Sequence, residues 1–352
     1  MLETLQKQKQ KEETDISPIP LYQLALGFAA TKVLLVAQRL GFFAALAKGS
    51  RTAGEIAKAK KMPSHTTEML LNACVSLKLC EKSDGAYRNT PLTQRFLVPG
   101  QRGYLGDFMG HFNDHMYPAW IHLEEAIKTG HAQIQQVIGQ TDDHFFQAID
   151  RQTKDLENFM QTMEEHSQLE GDALAHVYDF SPHKELLDVA GGTGAMSVAI
   201  LERHPHLRVT VFDRPPVCEI AARNLQKIGL QNCVRLVAGD FFTDPLPKTA
   251  DVLLLSGILH NWAPENARRI LTQCAEACKP GGTLLISEQV LNDAKTEPLP
   301  ATLCSLNMLV MLEGAQEYSR AEFEAMLTDT GFCLEEIRPT GAGRQLLIAR
   351  RK

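Results

Sequence analysis

The sequence predicts an α/β protein in which a helical amino-terminal region precedes a doubly wound, mostly parallel sheet. The hydrophobic pattern is helical from Pro18 to about Phe180 and alternates strands with helices from Leu186 onward. A strand that runs into a glycine-rich turn, residues 186–194, opens the second region. The chain has 352 residues, 44% of them hydrophobic. That length suits about two domains, each with its own core.

Composition excludes several classes of protein. The chain carries 36 Lys and Arg against 42 Asp and Glu, a formal net charge of -6 at pH 7. This balance excludes a protein held to nucleic acid mainly by net positive charge. The apolar content excludes a disordered chain, because so many apolar residues offset the entropy lost on folding.

The cysteines and the amino-terminal segment indicate a cytoplasmic protein. The eight cysteines form no CxxC pair, so we expect buried, reduced thiols and no structural zinc. Residues 1–17 lack the apolar core of a signal peptide and are predicted to be a flexible tail. Lys32, Gln38 and Arg39 interrupt the apolar stretch 24–47, which favours a buried or subunit-interface helix over a bilayer span.

Two short helices followed by a hairpin are predicted between residues 52 and 88. Thr52 and Glu55 form a capping-box pattern at the start of the first helix, and Ser64 begins the second. The apolar face of the second helix is predicted to carry Leu70, Leu71, Cys74 and Leu77. Residues 82–88 then give a turn-and-strand signal. This order is typical of a winged helix, whose alternative use would be DNA binding through three lysines at 58, 60 and 61, and we favour a solvated turn there.

The second region is predicted to contain seven strands, of which helical segments separate the first five. The predicted strands are Leu186–Ala190, Arg208–Phe212, Val234–Ala238, Val252–Ile258, Thr283–Glu288, Leu334–Arg338 and Gln345–Ala349. The last two lack a helix between them and are expected to pair antiparallel through residues 340–343. We place the domain boundary near Phe180-Ser181-Pro182, where a proline ends the helical region, so that the domains are residues 18–178 and 179–352.

The glycine-rich turn is the strongest sign of a cofactor site. Asp188 precedes Gly191, Gly192 and Gly194, where glycine lets the backbone approach a ligand closely. A dinucleotide fingerprint requires a third glycine, and this chain has Ser197 there. The carboxylate of Asp188 at the mouth of the turn would repel a pyrophosphate and attract a cationic amino group. The turn therefore favours S-adenosylmethionine (SAM) over NAD.

Two further acids follow the next two strands. Asp213 lies nineteen residues past Gly194, where a carboxylate accepts hydrogen bonds from ribose hydroxyls. Asp240, after Gly239, supplies an acceptor for an adenine amino group, and Phe241 supplies an aromatic face. Arg214, next to Asp213, is assigned to the same cofactor site.

A base for proton transfer is predicted at the same edge of the sheet. His260 follows the fourth strand, Glu288 ends the fifth, and Glu317 lies in a later loop. A neutral histidine is suited to take the proton of a hydroxyl that attacks a sulfonium methyl group, and glutamates on its other nitrogen would fix its tautomer. No metal is required. His111 and His115 are spaced for one helix face, but with no third ligand at fixed spacing we expect ordinary helix or cleft histidines.

These residues lie in segments that resemble one known family, the SAM-dependent O-methyltransferases of the caffeic acid and acetylserotonin (hydroxyindole) type. The resemblance covers nearly the whole chain. Its most specific segments are 74–79, 87–90, 188–194, 239–242, 259–262 and 305–310.

The resemblance implies a Rossmann-like class I methyltransferase domain, residues 179–352, after a winged-helix domain, residues 18–178, that forms a homodimer. It implies that His260 is the base, flanked by Glu288 and Glu317. It also implies that Met163 and Ser167 contact SAM, and we assign Ser256 to the same site. The acceptor pocket would be lined by His166, Asn307, Met308, Met311 and Trp262.

Two departures from the family pattern bear on function. The family has His-Asp where this chain has His260-Asn261, and a basic residue just before the histidine is replaced by Ser256-Gly257. An alternative function is therefore a SAM-binding homologue that catalyses a reaction other than methylation. Five aromatic residues suggest a flat apolar acceptor, a phenol or hydroxyindole: Phe108, Phe112, Tyr117, Trp120 and Phe146.

Overall fold

A computed structural model describes residues 16–139, 145–150, 153–248 and 250–352. The chain divides into two compact units, one ending at Gly106 and the other running from Asp107 to Lys352. Residues 107–178, which the sequence pattern assigned to the amino-terminal domain, thus belong to the second unit, because their long helix packs against the first helix of the sheet domain. Most of the predicted tail, residues 1–15, lies outside the described residues.

The first unit contains six helices and a small sheet within its described residues. The helices are α1 (Ile19–Ala25), α2 (Gly27–Arg39), α3 (Phe42–Ala45), α4 (Ala53–Lys60), α5 (Ser64–Ser76) and α6 (Pro91–Phe96). The strands β1 (Arg51–Thr52), β2 (Cys80–Ser83) and β3 (Ala86–Asn89) form an antiparallel sheet in the order β1-β3-β2.

The predicted helix start at Thr52 and the predicted hairpin are both present. The backbone N–H of Glu55 donates to the Thr52 hydroxyl at 3.3 Å, and the backbone N–H of Thr52 donates to the Glu55 carboxylate at 2.7 Å. On α5, Leu71 and Cys74 are buried as predicted. The prediction for Leu77 was wrong: α5 ends at Ser76, and Leu77 is 38% exposed at its carboxyl end.

Helices α1 and α2 present an unusually apolar surface. Within the described residues, the stretch Ile19–Arg39 is long and apolar enough to cross a membrane by length and composition, with a hydropathy of 1.6, and 6% of that window is buried. Leu21, Leu24 and Phe28 are among its exposed side chains. The two helices thus carry exposed apolar side chains on the first unit.

The second unit begins with short helical segments and one long helix. These are α7 (Gly106–His111), a π-helical turn (Phe112–Met116), α8 (Tyr117–Ala119), a 3₁₀ turn (Trp120–His122), α9 (Leu123–Thr129), α10 (Gln135–Ile138), α11 (Phe145–Asp150) and α12 (Thr153–Val177). Helix α12 packs against the first helix of the sheet domain. The side chains of α12 therefore lie close to the glycine-rich turn that precedes that helix.

The sheet domain follows in alternating order. Its elements are β4 (Glu185–Val189), α13 (Ala195–Arg203), β5 (Arg208–Asp213), α14 (Pro215–Lys227), β6 (Val234–Ala238), β7 (Val252–Ser256), a 3₁₀ turn (Leu259–Asn261), α15 (Pro264–Ala277), β8 (Thr283–Glu288), β9 (Val290–Leu291), α16 (Leu299–Met311), β10 (Tyr318–Ser319), α17 (Arg320–Asp329), β11 (Phe332–Pro339) and β12 (Gln345–Arg351). Every predicted strand is present, with ends that shift by at most two residues.

Seven strands form one sheet in the order β11-β12-β8-β7-β4-β5-β6. Strands β4 to β8 pair in parallel, and β12 pairs antiparallel with both β8 and β11, as predicted for the terminal hairpin. The prediction that helices separate the first five strands was wrong at one point: the described residues between β6 and β7 contain no helix.

The strand order places the loops that follow β4 to β8, which carry the predicted site residues, at one edge of the sheet. Strand β4 lies between β5 and β7, so the order in which successive strands join the sheet reverses there. Open α/β sheets bind ligands outside the carboxyl ends of the strands at such a point. The residues of β7 from Val252 to Leu255 are completely buried. A core packed on both faces gives these strand ends a rigid support.

Candidate active site

The glycine-rich turn between β4 and α13 is shaped by Asp188. This carboxylate is 2% exposed and accepts a hydrogen bond from the Ser197 hydroxyl at 2.7 Å. A Cβ atom on Gly191 would lie 2.6 Å from both Cγ and Oδ2 of Asp188, so only glycine fits there. Burial raises the pKa of Asp188 to about 6. The structure thus places Asp188 beneath the turn, and not at the open mouth that the sequence suggested.

Asp213, at the end of β5, connects this turn to the next loop. Its Oδ2 accepts from the backbone N–H of Gly192 at 2.8 Å, and its Oδ1 accepts from the backbone N–H of Arg214 at 2.7 Å. Burial raises the pKa of Asp213, and the Arg214 guanidinium opposes that rise. Each carboxylate oxygen keeps a second lone pair, which suits two ribose hydroxyls.

The loop after β6 adds an aromatic group to the same edge. Gly239 leaves room for Phe212, since a Cβ atom there would lie 2.7 Å from its ring. Oδ1 of Asp240 accepts from the backbone N–H of Phe242 at 2.8 Å, which leaves Oδ2 for another donor. Phe241 packs edge-on against Trp262, with ring centroids 5.9 Å apart. Phe241, next to Asp240 in this loop, therefore lies beside Trp262.

His260 lies in the 3₁₀ turn directly after β7, and Glu288 holds that turn in place. Oε1 of Glu288, at the end of the neighbouring strand β8, accepts from the backbone N–H groups of Ile258 at 2.9 Å and Leu259 at 2.8 Å. The side chain of Asn261, which replaces the family aspartate, donates to the Gly257 carbonyl at 2.9 Å. Asn261 thus closes the turn, a contact for which it needs no negative charge.

The imidazole of His260 faces two buried carboxylates. Its Nδ1 lies 2.8 Å from Oε1 of Glu317 and 3.5 Å from Oε2 of Glu288. Both glutamates are at most 1% exposed. Burial by itself lowers the pKa of His260, but the negative charges of Glu288 and Glu317 outweigh it and raise that pKa well above 6.5. Since Nδ1 is engaged by the carboxylates, Nε2 is the ring nitrogen that remains available to a ligand.

Other predicted pocket residues lie on α12 and α16. His166 stacks on Phe108 with ring centroids 5.0 Å apart. Burial, with the nearby charges of Arg344 and His260, lowers the pKa of His166 to about 3, so this ring is neutral. Met163 and Ser167 are half-buried and, three residues before and one after His166, share its part of α12.

The α16 residues are mainly buried. The side-chain oxygen of Asn307 accepts from the Trp120 indole at 2.9 Å, which orients the Asn307 NH₂ group. Met308 and Met311 belong to a hydrophobic cluster with Ala119 and Val310.

Phe146, on α11, is one of the aromatic residues predicted to face the acceptor. Its ring lies against the guanidinium of Arg214, whose central carbon is 5.5 Å from the ring centroid.

Three residues at this site were missed by the sequence analysis. Ser197, noted only as the place of an absent glycine, holds Asp188. The Cys304 sulfur lies within 4.8 Å of ligand-type atoms of His260 and Glu317. Arg344 donates from Nη1 to the Ser256 hydroxyl at 2.9 Å. Of these three residues, only Ser197 gave a local signal, since it stands where a dinucleotide fingerprint has its third glycine. Cys304 and Arg344 meet their partners from distant parts of the sequence.

Comparison with known proteins matches both units to O-methyltransferase family models. Residues 22–99 match the family model of the O-methyltransferase dimerisation domain, and residues 120–333 match that of the O-methyltransferase domain. The chain is 37% identical to a 3-hydroxy-5-methyl-1-naphthoate 3-O-methyltransferase of Streptomyces sahachiroi, over 89% of each chain. It is 34% identical to the acetylserotonin O-methyltransferase of Bos taurus, over 94% of this chain and 97% of the relative.

Solved structures agree. The crystal structure of human N-acetylserotonin methyltransferase in complex with SAM has a TM-score of 0.88 and 32% identity, and the match covers 96% of this chain and 98% of that one. A second structure, PigF with SAH (S-adenosylhomocysteine), has a TM-score of 0.83 and 27% identity, covering 96% and 100%. With the glycine turn, the two strand-end acids and the buried histidine in place, the chain belongs to the SAM-dependent O-methyltransferases.

Proposed function

We propose that this protein methylates a hydroxyl group of a small aromatic acceptor, with His260 as general base and without a metal ion. The observation that carries this proposal is the engagement of Nδ1 of His260 by Glu317 at 2.8 Å, at the edge of the sheet that also carries the glycine turn. The named relatives act on a hydroxynaphthoate and on acetylserotonin, both aromatic. The stacked Phe108 and His166 rings provide a flat wall for such an acceptor.

One set of residues would bind the cofactor, and another would accept the proton of the acceptor hydroxyl. Asp213 and Asp240 would hold the ribose and adenine of SAM, which when bound supplies an electrophilic methyl group. A phenol, with a pKa of about 10, is about 3 units from ionisation at pH 7, which costs roughly 4 kcal/mol. Nε2 of His260 would take the phenol proton as the oxygen–carbon bond forms and the carbon–sulfur bond to the methyl group breaks, with S-adenosylhomocysteine as the leaving group. Glu288 and Glu317 would stabilise the resulting imidazolium.

Methyl transfer from radiolabelled SAM to a panel of phenols, hydroxyindoles and hydroxynaphthoates tests this function. We expect a labelled methyl ether and one equivalent of S-adenosylhomocysteine per turnover. Because atoms of His260, Cys304 and Glu317 lie within 4.8 Å of one another, the assay includes EDTA, which should leave the rate unchanged. Loss of activity in EDTA would contradict the metal-free mechanism, and consumption of SAM without a methylated product would favour the non-methylating alternative.

The rate is expected to fall in acid because only neutral His260 accepts a proton. Since the pKa of His260 is raised above 6.5, kcat/KM should decrease tenfold per pH unit below a midpoint that lies above 6.5. Glu317→Gln removes one of the charges that raise this pKa, so the midpoint should move to lower pH and the plateau should decrease. The exposed Glu313→Gln variant is the control and should keep the wild-type midpoint. A midpoint that Glu317→Gln leaves unmoved would remove Glu317 from this role.

We infer that the amino-terminal unit forms a homodimer through its exposed apolar helices. The dimerisation-domain match begins at residue 22, and the exposed side chains of Leu24 and Phe28 lie within it. Burying such residues removes apolar surface from water. Sedimentation velocity should show a dimer for the wild type and a monomer for the Leu24→Lys, Phe28→Lys double variant. A wild-type monomer, or a double variant that stays dimeric, would place the contact elsewhere or exclude it.

A further inference from the structure

Arg344 lies where a guanidinium would not be expected from local sequence. It directly follows the hairpin turn at residues 340–343 and precedes β12. Its Nη1 donates to the Ser256 hydroxyl at 2.9 Å. A Cβ atom on Gly257 would lie 2.6 Å from Nη2 and 2.9 Å from Nη1. The guanidinium therefore rests against the Gly257 backbone, in space that any side chain at that position would fill.

This contact accounts for one of the two departures from the family pattern. The basic residue that the family carries just before the histidine is replaced here by Ser256-Gly257. Arg344, 88 positions after Ser256 in the sequence, brings a positive charge to the same two residues. The glycine and the arginine are thus complementary, since the glycine makes the room that the arginine occupies.

The positive charge of Arg344 shifts the pKa of three titratable groups, Glu288, Glu170 and His166. Burial raises the pKa of Glu288 and of Glu170, and Arg344 opposes both rises. Burial lowers the pKa of His166, and Arg344 lowers it further. The guanidinium is therefore close to the carboxylate that holds the His260 turn and to the ring that stacks on Phe108.

Arg344 keeps unused hydrogen-bonding capacity. A guanidinium has five N–H donors in a planar fork. Within the described part of the chain, the Ser256 hydroxyl is the one side-chain acceptor bonded to it, and no carboxylate lies within ion-pair distance. A half-buried guanidinium of this kind matches the two oxygens of a carboxylate, which it binds more strongly than a neutral acceptor.

We propose that Arg344 is a carboxylate-binding residue of the active site, beside the base His260. Binding of a carboxylate by Arg344 does not depend on the proposed function. A role for that binding in methyl transfer does rest on it. The carboxylate has two sources, an aromatic hydroxy acid as acceptor or the methionine end of SAM, and the test separates them.

Calorimetry with matched pairs of ligands tests the proposal without requiring turnover. The first pair is S-adenosylhomocysteine and its decarboxylated analogue. The second pair, added to enzyme saturated with S-adenosylhomocysteine, is 3-hydroxy-2-naphthoate and 2-naphthol. We expect the wild type to bind the carboxylate member of at least one pair about 10- to 100-fold more tightly, the range of one charge-assisted hydrogen-bonded pair. Arg344→Gln should abolish that preference, and Arg344→Lys should keep part of it.

The pair that loses its preference identifies the source of the carboxylate. Arg350→Gln, on the strand β12 that directly follows Arg344, is the matched control: Arg350 is paired with Glu335, and the variant should keep the wild-type preference. Thermal denaturation checks that each variant folds. A wild type without preference in either pair, or an Arg344→Gln variant that keeps it, would overturn the proposal. Because these are binding measurements, a carboxylate preference in an enzyme that methylates none of the acceptors would contradict the proposed function alone.

Discussion

Replacing His260 by alanine is expected to slow methyl transfer by about 10²- to 10⁴-fold, the usual contribution of a positioned general base. The imidazole is the group whose Nδ1 contacts Glu317 and whose Nε2 remains for the acceptor. Without it, a phenol must ionise unaided before it attacks. The turn itself should persist, because Glu288 holds it through the backbone N–H groups of Ile258 and Leu259.

Two measurements separate loss of the base from loss of the fold. Affinity for S-adenosylhomocysteine, determined by calorimetry, should stay close to the wild-type value in His260→Ala. Added imidazole should restore part of the rate, since it fits the space that the side chain leaves. His65→Ala, which removes an exposed histidine from the first unit, serves as control and should retain full activity. A His260→Ala enzyme with the wild-type rate would show that another group accepts the proton.

Replacing Gly191 by alanine is expected to weaken binding of S-adenosylhomocysteine by about 10- to 100-fold. The added Cβ atom would lie 2.6 Å from Cγ and Oδ2 of Asp188, so either the carboxylate or the turn must move. Asp188 is buried and bonded to Ser197, and separating such a pair costs about 1 to 3 kcal/mol. Movement of the turn would also displace the Gly192 N–H from Asp213.

The control for this variant is another glycine in the same chain. A Cβ atom on Gly54 would approach nothing closer than 3.9 Å, so Gly54→Ala should bind S-adenosylhomocysteine as the wild type does. Circular dichroism of both variants should match that of the wild type, which would show that they are folded. Wild-type affinity in Gly191→Ala would mean that the turn adapts without disturbing the cofactor, and that the close approach to Asp188 has no role in binding.

The order of the elements was predictable because it depends on local patterns. Residues 186–189 form a buried strand and the glycines after them form a turn, so the cofactor edge could be identified from the spacing of Asp188, Asp213 and Asp240. The terminal hairpin was confirmed for the same reason. The helix predicted between β6 and β7 is absent from the described residues, because a parallel crossover needs a connection but not a regular helix.

The position of Asp188 shows where local reasoning stops. Its place at the end of β4 was predicted, but its burial under Gly191 depends on the path of the turn, and its partner Ser197 lies on the next helix. Similarly, residues 107–178 have helical periodicity whichever unit they join. Their packing against α13, which no periodicity encodes, puts them with the sheet domain.

The amino-acid sequence by itself determined the fold class, the cofactor edge and the candidate base, because strand and helix periods, glycine turns and strand-end acids are short-range features. Tertiary structure alone revealed the contact of Arg344, and it fixed the geometry of the Glu317 contact that the family resemblance implied. Glu317 reaches Nδ1 of His260, and Arg344 reaches Ser256 and Gly257. The pairing of β10 with β9 places Glu317, directly before β10, near the end of β8. The Arg344 contact follows from the strand order β12-β8-β7, which brings the beginning of β12 to the carboxyl ends of β7 and β8. Such an order depends on how the whole core packs, and no local pattern in the chain specifies it.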